Sequence, residues 1–181
     1  MAKRISLREF QQDLTRRLTE VKTAGRRAGL LAFTAGGDNW LVDLVDAGEI
    51  IAAPSLTAVP LTRGWFRGIA NVRGNLYSVV DLAAFSGEAT TVLNNDARIL
   101  LIGTRHGLNT ALLVSRAQGL RNPDDFEVDD GFIDARPWIT GALRDSQGRL
   151  WKRLAVRPLL ADARFLDAGA DLGHREPRTP T

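Results

Sequence analysis

The chain has 181 residues, 44% of them hydrophobic and 25% charged, which is enough for one domain with a sizeable core or two small packed subdomains. It contains no cysteine, so disulfides and thiolate metal sites are excluded, and no apolar run approaches the ~20 residues needed to span a bilayer. The sequence pI is about 9.9, but residues 1–30 carry eight Lys/Arg against three acids, a net of +5. The rest holds 16 basic and 18 acidic residues, a net of −2, so the globular part offers no phosphate-binding footprint.

Residues 1–29 read as a basic amphipathic helical arm. Ser6 is a candidate N-cap with Glu9 at the capping-box spacing, and Leu7, Phe10, Leu14, Leu18 and Val21 recur at steps of three and four before Gly25. The stripe suits either packing on its own domain or docking on a partner. The start "MAKRISLREF" has no apolar core or small-residue cleavage site, so no signal peptide is expected and the cytoplasm is the expected compartment.

From Leu30 onward short strands and turns follow. "GLLAFTAGGDNWLVDL" predicts a hairpin around Gly36–Asn39. "GIANVRGNLYSVVDL" predicts a second, with Gly74-Asn75 as a two-residue turn. "RILLIGTRHGLNTALLVSRAQGL" predicts a third, turning at Arg105–Asn109, and "WITGALRDSQGRLWKRLAV" a fourth, turning at Asp145–Gly148. A helix is expected near residues 157–165. Many short strands with little helix between them predict a mainly β protein of small barrels.

Trp65-x-x-Gly68 and Trp138-x-x-Gly141 form an internal echo, each followed by a turn, a Gly-x-Leu and an apolar run. The echo predicts two alike subdomains, residues 30–90 and 91–167. The tail 168–181, "AGADLGHREPRTPT", has no apolar pattern and reads as disordered.

Chemistry is sparse. His106 reads as a solvated turn histidine, and His174 lies in the tail, so no histidine cluster can hold a metal. No nucleophile elbow, phosphate-cradling loop or dinucleotide fingerprint occurs. In the acidic run "PDDFEVDDG", an EF-hand frame starting at Asp125 puts Asp130 where glycine is needed and Arg136 where a bidentate glutamate is needed, so calcium is excluded. Trp40, Trp65, Trp138 and Trp151 border or lie in strands and read as core rather than as base-stacking platforms.

Arg73, the one charged residue between Gly68 and Val80, is not needed by the hairpin itself. The run Gly68, Asn71, Arg73, Gly74 and "VVDL" (79–82) resembles the signature of the CheW-like family, the adaptor modules of bacterial chemosensory arrays. Val59-Pro60 and the segment ending in Glu49-Ile50 are similar to the family's upstream segments, and the resemblance extends over residues ~30–166. Departures at Asp43, Arg63, Ala47 and Ser115, together with the basic arm, point away from the flagellar adaptor, and the chain is most similar to the PilI-type adaptor of twitching motility.

The resemblance implies two SH3-like five-stranded β-barrel subdomains and no catalytic residue, cofactor or metal. It implies that Arg73 pairs with Glu49 at the floor of a groove. It also implies that Glu49, Ile50, Gly68, Asn71, Arg73 and Gly74 serve binding to a CheA-type histidine kinase regulatory domain and the cytoplasmic tip of a methyl-accepting chemoreceptor. The expected location is cytoplasmic, at membrane-associated receptor arrays, without membrane insertion and without nucleic acid. The rival reading is a nucleic-acid-binding barrel that uses the basic arm.

Overall fold

Alternating apolar residues set the two sheets. In the computed structural model, which describes residues 29–170, eleven strands form one six-stranded and one five-stranded sheet. The first four elements are β1 (Leu30–Ala35), β2 (Asp38–Asp43), β3 (Ala47–Ala52) and β4 (Phe66–Val72). After β5 (Asn75–Asp81) comes the single-turn helix α1 (Leu82–Phe85). The second half comprises β6 (Arg98–Ile102), β7 (Thr110–Val114), β8 (Arg116–Arg121), β9 (Phe126–Val128), β10 (Ile139–Asp145) and β11 (Leu150–Leu154). Two short helices, α2 (Val156–Ala161) and α3 (Ala163–Leu166), close the fold where a helix was expected. The proposed arm, residues 1–29, lies outside the described residues apart from Gly29.

All four expected hairpins form. They do not assemble in sequence order. One sheet runs β8-β1-β2-β11-β10-β9 and the other β3-β6-β7-β5-β4. The first half of the chain therefore gives β1–β2 to one sheet and β3–β5 to the other, and the second half does the reverse with β8–β11 and β6–β7. The equivalent parallel contacts β2–β11 and β5–β7 seal the exchange. A boundary near residue 90 thus does not separate the two sheets: β1–β2 lies between β8 and β11, and β6–β7 between β3 and β5, so both hairpins are flanked by strands of the opposite half. The expected five strands hold for one sheet, while β9 adds a sixth to the other.

The echo has a structural counterpart. Both glycines mark a register shift in the first strand of their hairpin, with φ of +114° at Gly68 and +141° at Gly141. Bulges of this kind bend a strand sharply, as a small closed sheet requires.

Alternation gives each sheet two apolar faces and the molecule three cores. Ala70, Val79, Ile99, Leu101 and Leu113 fill the five-stranded sheet, and Leu30, Ala32, Leu41 and Trp151 the six-stranded one. The opposite faces meet in the largest core, where Phe33, Trp40, Val80, Leu112 and Trp138 pack with residues of all three helices. Trp40 and Trp138 stack there at 5.9 Å. Each fully buried large side chain contributes about 1.5–3 kcal/mol, so this layer joins the two sheets firmly. Trp40, Trp138 and Trp151 are buried and Trp65 is half-buried against the shared core, as their reading as core residues required.

The start of the supposed tail is ordered by pairing. Thr62 and Gly169 form an antiparallel bridge, with Arg63 N donating to Ala168 O at 2.9 Å and Ala170 N to Leu61 O at 2.8 Å. Backbone bonding, invisible in an apolar pattern, ties residues 168–170 down.

Candidate functional site

Val72 pairs with Asn75, so the β4–β5 turn is Arg73-Gly74, one residue earlier than the sequence reading. Both residues have positive φ, +52° and +86°, as a type I′ turn demands. Gly74 supplies this at little cost, whereas an arginine there costs roughly 1–2 kcal/mol. Asn71 steadies the turn, its Oδ1 accepting from Gly74 N at 2.9 Å.

Arg73 reaches Glu49 on β3 through two bonds, Nη1 to Oε2 at 2.8 Å and Nη2 to Oε1 at 2.7 Å. β3 and β4 are the two edges of their sheet, and the Thr57–Ile69 bridge ties the segment after β3 to β4. The fork of the arginine crosses the same seam. It does not lie at the floor of a groove: the Arg73 side chain is 74% exposed and that of Glu49 40%. Solvent screens a pair of this kind to about 0–1 kcal/mol, less than the strain its arginine bears.

Beside the pair lies a groove of about 450 Å³, lined by Val45, Ala47, Glu49, Tyr77, Leu101 and Arg105 among others. Asp46 holds its rim: Arg105 Nη2 lies 2.5 Å and His106 Nε2 2.8 Å from Asp46 Oδ1. The His106 side chain is only 5% exposed. It is not the solvated turn histidine expected, because Asp46, 60 residues away in sequence, draws the imidazole inward.

The other two site residues have structural duties. Ile50 is half-buried against the core shared by the sheets. A Cβ on Gly68 would sit 2.1 Å from Thr57 O, so only glycine permits the bridge that closes the sheet. The structure thus gathers Glu49, Asn71, Arg73 and Gly74 at one surface and leaves Ile50 and Gly68 to shape what lies beneath.

One network escaped the sequence reading. Asp81, fully buried at the end of β5, takes Arg67 Nη1 at 2.9 Å, Thr91 N at 2.7 Å and Thr91 Oγ1 at 2.8 Å, and caps α1 through Ala84 N. Arg67 also donates to Thr91 O at 3.0 Å. A buried carboxylate survives because every contact is a charge-assisted hydrogen bond. The available signal was an aspartate directly before the Leu82–Phe85 run, in the N-cap position.

Among the described residues, no group of three or more His, Cys, Asp or Glu side chains is placed to hold a metal ion. No helix there is long and apolar enough to cross a membrane.

The chain is 29% identical over 114 residues to Protein PilI of Pseudomonas aeruginosa, covering 63% of this chain and about three fifths, 61%, of the length of that relative. Its fold is similar to the crystal structure of the scaffolding protein TtCheW from Thermoanaerobacter tengcongensis, with a TM-score of 0.60 at 20% identity, covering 71% of this chain and 88% of the other. The profile of the CheW-like domain matches residues 29–164, so the chain belongs to the CheW-like domain family.

Proposed function

We propose that the chain is a non-enzymatic adaptor that couples the cytoplasmic tip of a methyl-accepting chemoreceptor to the regulatory domain of a CheA-type histidine kinase. Its setting is the chemosensory system of type IV pilus twitching motility, in the cytoplasm at membrane-associated arrays. The observation that carries this reading is the Arg73–Glu49 pair. A bidentate arginine is held in a strained left-handed turn, yet most of it faces solvent, where it contributes little to stability. Strain kept at an exposed position without a stability return is the mark of a recognition residue. Membership of a family of adaptors and the similarity to Protein PilI support the partner classes and the pathway.

The mechanism is geometric. The two sheets, joined by the shared core, hold the Arg73–Glu49 surface and the neighbouring groove rigid, so two partners bound at different faces keep a fixed relative position. Moderate interfaces with polar rims suit an assembly that must exchange components.

The test is a titration of the purified chain against a chemoreceptor cytoplasmic fragment and, separately, against a CheA-type regulatory domain. Both should bind, and Arg73→Glu should weaken at least one of them by tenfold or more while leaving the fold intact. Absence of binding to either partner overturns the reading.

A further inference from the structure

The point where the described chain begins is flanked by two unlike surfaces. On one side, Leu44 N donates to Gly29 O at 2.8 Å, and Leu44 and Val45 stand 40% and 55% exposed in the β2–β3 turn. On the other, Leu30 pairs with Arg121 and Leu31 with Leu120, so β8 runs directly beside the entry to β1. Leu31 is buried in the core shared by the sheets, but Leu120, across the ladder from it, is 62% exposed. Two leucines therefore bracket the start of β1 at the rim of that core. A large apolar residue exposed alone is unremarkable, but a group of them at one rim marks a surface meant to be covered.

An acidic segment follows this rim. β8 leads at Arg121 into the acidic stretch 123–131, which contains Asp124, Asp125, Glu127, Asp129 and Asp130 and no basic residue. Asp129 is engaged by Arg144 at 2.7 Å, whereas Asp125, Glu127 and Asp130 make no ion pair with described residues. The segment that leads into Gly29 is the opposite in kind. Residues 1–30 carry a net charge of +5 and the apolar series Leu7, Phe10, Leu14, Leu18 and Val21.

We propose that this chain's own N-terminal segment docks on the surface formed by Leu44, Val45 and Leu120, apolar stripe inward, with its Lys and Arg residues facing the acidic stretch 123–131. The reach is sufficient. A helix over residues 7–21 spans ~22 Å at 1.5 Å per residue, and the seven residues 22–28 can extend ~24 Å, so the stripe can fold back from Gly29 onto the neighbouring rim. Charge complementarity orients the contact, and burial of the leucines supplies its affinity. The inference is independent of the adaptor role, since it needs no receptor or kinase.

Amide hydrogen exchange on the full-length protein tests it. Amides of residues 7–21 should exchange about tenfold or more slowly than an unprotected peptide of the same sequence, to the same degree at low and high protein concentration. The double substitution Leu44→Ser and Leu120→Ser should abolish that protection while β5–β7 amides stay protected. The pair Asp125→Lys and Glu127→Lys, whose side chains are exposed on either side of the partly buried Phe126, should reduce it severalfold and serves if the first variant fails to fold. An unprotected segment overturns the proposal, as does protection that survives both variants. Protection that grows with concentration also overturns it, in favour of docking on a second copy of the chain.

Discussion

Arg73 and Glu49 meet through two parallel hydrogen bonds of 2.8 and 2.7 Å across the seam between β3 and the β4–β5 turn, in full view of solvent. The pair is strong in geometry and weak in stability, which makes the two separable. Arg73→Ala and Glu49→Ala should couple in a double-mutant cycle by less than about 1 kcal/mol in unfolding free energy. Arg73→Asn should be neutral or stabilising by up to ~1 kcal/mol, because Asn-Gly is the favoured pair for a type I′ turn. The same Arg73→Asn protein should bind its partner tenfold or more weakly. Denaturant unfolding and binding titrations on that one variant check both halves.

Asp81 should behave in the opposite way. Arg67 and Thr91 converge on a carboxylate with no exposed surface. Asp81→Ala removes the cap of α1, takes the carboxylate from Arg67 and leaves the Thr91 N–H without its acceptor, so a loss of about 3–5 kcal/mol is expected. Arg67→Ala should cost nearly as much by stranding the buried charge. Urea midpoints at constant m-value decide this.

The two echoing glycines are not equivalent in their surroundings. At Gly68 a Cβ would strike the Thr57 carbonyl, while at Gly141 nothing lies within 4 Å. Gly141→Ala should therefore cost only backbone strain, about 1–3 kcal/mol, and leave a folded protein. Gly68→Ala should cost more than about 4 kcal/mol or prevent folding. Thermal melts of the two variants side by side give the comparison.

Acid should unfold the protein in a defined window. The hydrogen-bonded Arg136 guanidinium holds the Asp134 carboxyl down to about 2, and Arg164 likewise lowers that of Asp162. A carboxyl depressed in the folded state contributes stability above its unfolded value, near 4, and loses it as pH falls through the folded value. Stability should thus be flat above pH ~5 and fall between pH ~4 and ~2. Asp134→Asn should flatten part of that slope, as read from urea midpoints against pH.

Strand-by-strand, the sequence determined much of this protein. Alternating apolar residues and turn glycines located the four hairpins, Trp65-x-x-Gly68 and Trp138-x-x-Gly141 marked the two strands that carry a bulge, and the resemblance of the motif around Arg73 to the CheW-like signature implied its partner Glu49. Those features are local, or carried by a recognisable motif. Three things depended on tertiary structure. The turn shifted to Arg73-Gly74 because register is settled by pairing along the whole of β4 and β5. His106 turned inward because Asp46, remote in sequence, accepts from it. Above all, β1–β2 joined β11 and β8 while β6–β7 joined β5 and β3, so that each half completes the other's sheet. A period-two apolar pattern specifies that a strand has a buried face, but not whose edge it will meet. That choice belongs to the shared core, which can form only when both halves are present and each covers the other's apolar face.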